Sequence, residues 1–66
     1  MTVTLNDAAL ELPAGATLEM ALEAKQIDPK GKATALNGRV VPAVLRGATE
    51  LTEGDKIVII KAFYGG

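Results

Sequence analysis

The stretch KIVIIKAF, residues 56–63, decides how the rest of the chain must be arranged. Its apolar residues follow one another without alternation, and the turn-forming run EGD, residues 53–55, directly precedes it. A continuous apolar strand bounded by turn signals is typical of the centre of a sheet, where both faces are covered. We therefore expect this segment to be a central strand, covered on both faces and parallel to the first strand of the chain.

The N-terminal residues predict a β-hairpin. In TVTL, residues 2–5, the apolar side chains of Val3 and Leu5 alternate with threonines, as on a strand with one buried face. A second alternating run, AALEL (residues 8–12), follows the pair Asn6-Asp7. Asn and Asp tolerate the left-handed backbone of a tight turn, so the two runs should pair with each other.

An amphipathic helix is predicted next, within TLEMALEAKQI (residues 17–27). Its apolar residues recur at helical spacing: Leu18, Ala21, Leu22 and Ile27. Thr17 is a suitable N-cap. Because Pro29 disfavours helical geometry at the residue before it, the helix should end around Gln26 or Ile27.

A second hairpin is predicted at NG, residues 37–38, because this dipeptide suits a type I′ turn. Pro42 cannot donate a backbone hydrogen bond, so the second arm should be short and lie at a sheet edge. The following run, residues 43–55, has no clear period. We interpret it as a connecting segment with Leu45 and Leu51 directed inward.

This order of hairpin, helix, short hairpin and long apolar strand predicts an α+β fold of the β-grasp (ubiquitin-like) type. Four to five strands of a mixed sheet would curl around the one helix, since that helix alone can cover an apolar sheet face. A chain of 66 residues is one domain. We assign residues 1–62 to the β-grasp domain and residues 63–66 to a mobile C-terminal tail ending in Gly-Gly.

Composition narrows the function classes. The chain has no Cys, His or Ser, which excludes disulfides and the usual zinc sites and leaves few groups for acid–base or nucleophilic catalysis. A net charge of −1 does not indicate the basic surface that nucleic-acid-binding proteins carry. No apolar run reaches the roughly 20 residues that span a bilayer, and no signal peptide is visible. We expect a cytoplasmic protein that is not an enzyme and binds no cofactor, metal, nucleic acid or membrane.

The C-terminal α-carboxylate is the reactive group that remains. It is ionised at neutral pH and becomes an electrophile only when activated, for example as a mixed anhydride with AMP. Gly65 and Gly66 lack Cβ atoms and can enter a narrow channel in a partner enzyme. Tyr64 precedes them and should contact a partner, because interfaces favour aromatic anchors. Phe63 could do the same or plug the end of the core.

LNGRVVP (residues 36–42), followed by LTEGDKIVIIKAFYGG (residues 51–66), resembles the ThiS family, the sulfur carrier proteins of thiamine biosynthesis. The likeness runs along the whole chain. It implies that a ubiquitin-activating-type adenylating enzyme, which consumes the ATP, adenylates the carboxylate of Gly66. Sulfur from a donor protein's persulfide would then replace AMP and leave a thiocarboxylate, from which a thiazole synthase takes sulfur for the thiazole ring. The aromatic pair before the glycines is bulkier than the residues often found there.

The expected site residues follow from the tail and the last strand. Gly66 is modified, and Gly65 and Tyr64 thread into partner sites. The partner-binding set is Phe63, Val58 and Ile60, of which Val58 and Ile60 are expected on the sheet face away from the helix. Edge loops could instead bury that face. Alternative functions are a molybdopterin-type sulfur carrier, a ubiquitin-like modifier, or a non-catalytic β-grasp binding module with an inert tail.

Overall fold

The computed structural model describes residues 1–28 and 30–61, and within these ranges five strands form one mixed sheet. The strands are β1 (Thr2–Leu5), β2 (Ala8–Glu11), β3 (Lys32–Leu36), β4 (Arg39–Val41) and β5 (Lys56–Lys61). The helix α1 spans Leu18–Ala24, and a 3₁₀ helix spans Ala43–Ala48. The strand order β2-β1-β5-β3-β4 around one α-helix is the predicted β-grasp arrangement.

Strand β5 lies at the centre of the sheet, as the sequence predicts. It runs parallel to β1 and antiparallel to β3. The prediction that both of its faces are covered is wrong. Ile57 is fully buried against the helix side, whereas Ile60 is 50% exposed on the opposite side and Val58 is only half-buried. The elements that pack on the sheet, α1 and the 3₁₀ helix, both cover one face.

The two predicted hairpins form because their turn residues accept positive φ. Asn6 and Asp7 have φ of 50° and 68° in the β1–β2 turn, and Asn37 and Gly38 have φ of 52° and 83° in the β3–β4 turn. Both turns therefore have the left-handed backbone conformation of a type I′ connection, whose overall twist matches the right-handed twist of the strands. The edge position of the short strand β4 is also confirmed.

Helix α1 begins at the predicted cap. The Met20 N–H donates to Thr17 Oγ1 at 3.3 Å, which satisfies one of the first-turn amides. Leu18, Ala21 and Leu22 are buried and pack against the core side of the sheet. Within residues 1–28 and 30–61, no helix is long and apolar enough to cross a membrane.

The helix ends at Ala24, earlier than the predicted end at Gln26 or Ile27. Gln26 adopts a φ of 56°, and its N–H donates to the Glu23 carbonyl at 2.9 Å. The Ile27 N–H donates to the Leu22 carbonyl at 2.9 Å. This pair of bonds around a left-handed residue is a Schellman motif, which closes the helix at this point.

In the connecting segment, residues 43–55, one of the two predicted core residues is wrong. Leu51 is 3% exposed, as expected, but Leu45 is 49% exposed and does not point inward. The side chain that turns inward from the 3₁₀ helix is Arg46, which is 6% exposed. Its Nε donates to Thr34 Oγ1 at 3.1 Å and its Nη2 donates to the Lys32 carbonyl at 2.6 Å. These acceptors on β3 satisfy the buried guanidinium and fix the segment to the sheet.

Candidate functional site

The face of the sheet opposite α1 carries an apolar surface. Residues paired directly across neighbouring strands point to the same side of a sheet. Ala35 of β3 is paired with Val40 on one side and Val58 on the other, and Ala33 is paired with Ile60. We call these five residues the outer patch. Val40 is 71% exposed and Ile60 is 50% exposed, so the patch is accessible to a partner.

The sequence predicted only part of the outer patch. Val58 and Ile60 are brought together with Ala33, Ala35 and Val40, which the sequence analysis missed. Val40 and the half-buried Ala33 become part of the surface only through the register of β4, β3 and β5, and Ala35, which is 9% exposed, forms the floor between Val40 and Val58. The NG turn fixes the register of β3 and β4, so the sequence could have placed Val40 opposite Ala35 on this face.

Polar residues limit the outer patch on the β1 side. Thr4 of β1 is paired with Lys56 of β5 on this same face. Lys56 Nζ lies 4.0 Å from Asp7 Oδ1, and both side chains are largely exposed. An apolar centre with a polar border is the arrangement found in protein–protein interfaces.

Two residues of the outer patch, Val58 and Ile60, lie on β5, the strand that leads to the C-terminus. The predicted tail residues Phe63, Tyr64, Gly65 and Gly66, and the boundary proposed for the domain, lie outside the described residues. Gly66 follows Ile60 by six residues (66 − 60), a span of at most about 20 Å in an extended chain. A partner that covers the patch is therefore within reach of the terminal carboxylate.

Asp55 braces the start of β5. Its carboxylate accepts hydrogen bonds from the Thr52 N–H at 2.7 Å, from the Thr52 hydroxyl at 3.0 Å and from Asn37 Nδ2 at 3.0 Å. Burial alone would raise the pKa of this carboxyl, but the hydrogen bonds from Thr52 and Asn37 outweigh it and hold the pKa below its usual value. Asp55 is thus an ionised structural group.

Two asparagine side chains extend the backbone ladder of β5. Asn37 Oδ1 accepts from the Lys56 N–H at 2.9 Å, at the beginning of the strand. Asn6 Oδ1 accepts from the Ile59 N–H at 2.9 Å, beyond the last residue of β1. The Asn6 bond supports β5 where the paired part of β1 has ended, and so holds the direction in which the strand approaches the tail.

The ThiS family model matches residues 2–66 of the sequence. The chain belongs to the ThiS family. The crystal structure of a thiamine biosynthesis protein (ThiS) from Geobacter metallireducens is similar, with 23% sequence identity and a TM-score of 0.82. The match covers 100% of this chain and 99% of that chain, and at this identity it shows the shared fold. No curated protein matches the sequence significantly.

The structure shows what the residues that carry the family resemblance do in the fold. Asn37 and Gly38 form the β3–β4 turn, and Asp55 binds the Asn37 side chain across the sheet. These residues shape the start of β5 and the register of the outer patch. The glycines that end the family match lie beyond the described strand.

Proposed function

We propose that this ThiS-family chain is a sulfur carrier protein of thiamine biosynthesis. The observation that carries the proposal is the family match, which extends through the terminal Gly65 and Gly66. The similar crystal structure is that of a thiamine biosynthesis protein, which supports the choice of pathway. The working group in this proposal is the carboxylate of Gly66.

The chemistry takes place at the chain terminus inside partner enzymes. An α-carboxylate has a pKa of about 3.3–3.7 and is ionised at neutral pH, so it can attack the α-phosphorus of ATP and release pyrophosphate. The resulting acyl adenylate has AMP as its leaving group. The outer sulfur of a donor protein's persulfide then displaces AMP and forms an acyl disulfide with Gly66. A second thiol attacks the donor cysteine sulfur of that disulfide, which releases the thiocarboxylate on Gly66 and leaves the donor oxidised to a disulfide. A thiazole synthase takes that sulfur for the thiazole ring.

The outer patch is the proposed docking surface for the adenylating enzyme and the thiazole synthase. Exposed apolar surface with a polar border favours association, and the patch residues Val58 and Ile60 precede the tail on β5. Docking through Val40, Val58 and Ile60 would direct Tyr64 and Gly65 into the partner's channel. Glycine imposes no Cβ on such a channel and accepts any backbone conformation it requires.

An ATP–pyrophosphate exchange assay with the adenylating enzyme tests the proposal. The full chain should support exchange, because adenylation of Gly66 is reversible. A variant lacking Gly66 should give only the background rate of the enzyme alone. Its circular dichroism spectrum and unfolding midpoint should equal those of the full chain, since no described residue is altered. Exchange at the full rate by the shortened chain would show that the terminus is inert.

The acceptor distinguishes the thiazole pathway from the alternatives. A molybdopterin-type carrier and a ubiquitin-like modifier would share the adenylation step. Incubation of the thiocarboxylate form with thiazole synthase and the small-molecule precursors of the thiazole ring should regenerate the carboxylate form as sulfur is transferred to the ring. Retention of the sulfur, or isopeptide conjugates on lysines of other proteins, would contradict the thiazole assignment.

A further inference from the structure

The β3–β4 turn contains an asparagine that is open to a chemical modification. The sequence has two asparagines, and only Asn37 is followed by glycine. An asparagine loses its side-chain amide when the backbone nitrogen of the next residue attacks its Cγ, and glycine hinders that attack least because it has no side chain. Asn37 and Gly38 are both exposed, and a Cβ on Gly38 would meet nothing within 4 Å. Burial therefore does not protect this dipeptide.

Hydrogen bonds to β5 hold the Asn37 side chain in place. Its Nδ2 donates to Asp55 Oδ1 at 3.0 Å, and its Oδ1 accepts from the Lys56 N–H at 2.9 Å. The Asn37 N–H also donates to the Lys56 carbonyl at 2.8 Å. These partners lie at the start of β5 on one side of β3, whereas Gly38 leads to β4 on the other side. To bring Cγ to the Gly38 nitrogen, the side chain must leave both Asp55 and Lys56.

We propose that Asn37 is a deamidation site that the fold protects through these hydrogen bonds. In the reaction, the Gly38 nitrogen forms a bond to Cγ of Asn37 and gives up its proton. The side-chain nitrogen takes up a proton and leaves as ammonia, and the product is a cyclic imide. Water then opens the imide at either carbonyl, which leaves aspartate or isoaspartate at position 37. Water is the only co-reactant.

Deamidation would turn the contact between Asn37 and Asp55 into a contact between two carboxylates. The oxygen that replaces Nδ2 faces Asp55 Oδ1, and the two negative charges repel each other. Isoaspartate also adds a methylene to the backbone of the two-residue turn that sets the pairing of Val40 with Ala35. The modified chain should therefore be less stable and should display a distorted outer patch. The effect on docking rests on the proposed function, whereas the modification does not.

Peptide mapping by mass spectrometry tests the proposal. The full chain is incubated in buffer and in denaturing urea, and replacement of the side-chain amide by an acid is followed at each asparagine. In urea, Asn37 should react faster than Asn6, because the side chain of Asp7 hinders attack after Asn6. In buffer, Asn37 should react at least about tenfold more slowly than in urea, because the turn must open first. Equal rates at Asn37 in buffer and in urea would overturn the proposal.

A pair of variants separates the turn contacts from overall stability. Asp55→Ala removes the acceptor of Asn37 Nδ2, whereas Arg46→Lys removes hydrogen bonds elsewhere on β3 and keeps those of Asn37. The two are compared at urea concentrations that unfold equal fractions of each. Asn37 should react about tenfold faster in Asp55→Ala, the ratio expected for one lost hydrogen bond to a charged group.

Equal rates at Asn37 in the two variants would mean that the contacts with β5 give no protection of their own, and would contradict the proposal. Asn37→Asp, made directly, should unfold at a lower urea concentration than the wild-type chain, and an unchanged midpoint would contradict the repulsion between the two carboxylates. No partner enzyme enters these measurements, so their failure leaves the sulfur-carrier proposal standing.

Discussion

Replacing Asp55 by Asn should destabilise the fold substantially. The carboxylate is 8% exposed and accepts three hydrogen bonds, two from Thr52 and one from Asn37. An amide keeps one acceptor oxygen and turns an N–H₂ group towards a donor. Hydrogen bonds to charged groups contribute about 1.5–3 kcal/mol each. We expect a loss of about 2–3 kcal/mol at neutral pH, from a total that is roughly 3–10 kcal/mol for a chain of this length.

The effect should depend on pH with a defined sign. The pKa of Asp55 in the folded state lies below its ordinary value, so its contribution is present above about pH 4, the unfolded pKa, and is lost as the pH falls through the folded pKa. The stability difference between the wild-type chain and Asp55→Asn should therefore shrink in acid. The assay is urea unfolding followed by far-ultraviolet circular dichroism across a pH series.

Asp7→Asn is the matched control, because this side chain is 89% exposed and its ion pair to Lys56 is long, at 4.0 Å. It should change stability by less than about 0.5 kcal/mol. An Asp55→Asn variant within that same range, or a difference that is equal at neutral pH and at about pH 2, would refute the reasoning.

Three further substitutions, two of them with a control substitution, test the rest of the architecture. Arg46→Lys should lower the free energy of unfolding by about 1–3 kcal/mol in urea unfolding, because an ammonium cannot reproduce the two guanidinium bonds to β3; an unchanged midpoint would contradict this. Gly38→Ala should lower the free energy of unfolding by about 1 kcal/mol, because Gly38 has a φ of 83°. Gly47→Ala should lower it by less, because the new Cβ meets only the flexible end of the Glu19 side chain. Equal losses in calorimetry would argue against backbone strain. Val40→Asp should weaken binding of the adenylating enzyme at least tenfold in calorimetric titration, and Val44→Asp, an equivalent change on the helix side, should not. Equal affinities would remove the outer patch from the interface.

Local chemistry made most of the fold predictable. The turns at Asn6 and Asn37 need backbone conformations that few residues accept, so their positions follow from short motifs. The central position of β5 follows from its unbroken apolar run. The end of α1 was harder to predict, because Gln26 adopts a left-handed backbone conformation that is uncommon for glutamine. One face of β5 is uncovered because the described residues form a single α-helix, and one helix can cover only one face of the sheet.

The remaining features depend on tertiary partners. A 3₁₀ helix has three residues per turn and gave no recognisable period in residues 43–48. Burial of Arg46 depends on acceptors far away in the sequence, among them Thr34 Oγ1 and the Lys32 carbonyl. The sequence around position 46 does not show these partners, so an inward Leu45 was the simpler prediction. Val40 joins the outer patch through strand register. The role of Gly66 stays a prediction, since it lies outside the described residues.

Mass spectrometry of the terminus tests the central claim most directly. The full chain is incubated with ATP, the adenylating enzyme and a persulfide donor, and the product is fragmented to locate any change. The account predicts that one oxygen is replaced by one sulfur, with the change confined to the C-terminal fragment that contains Gly66. Sulfur located on another residue, or an unmodified terminus in the presence of active enzyme, would contradict it.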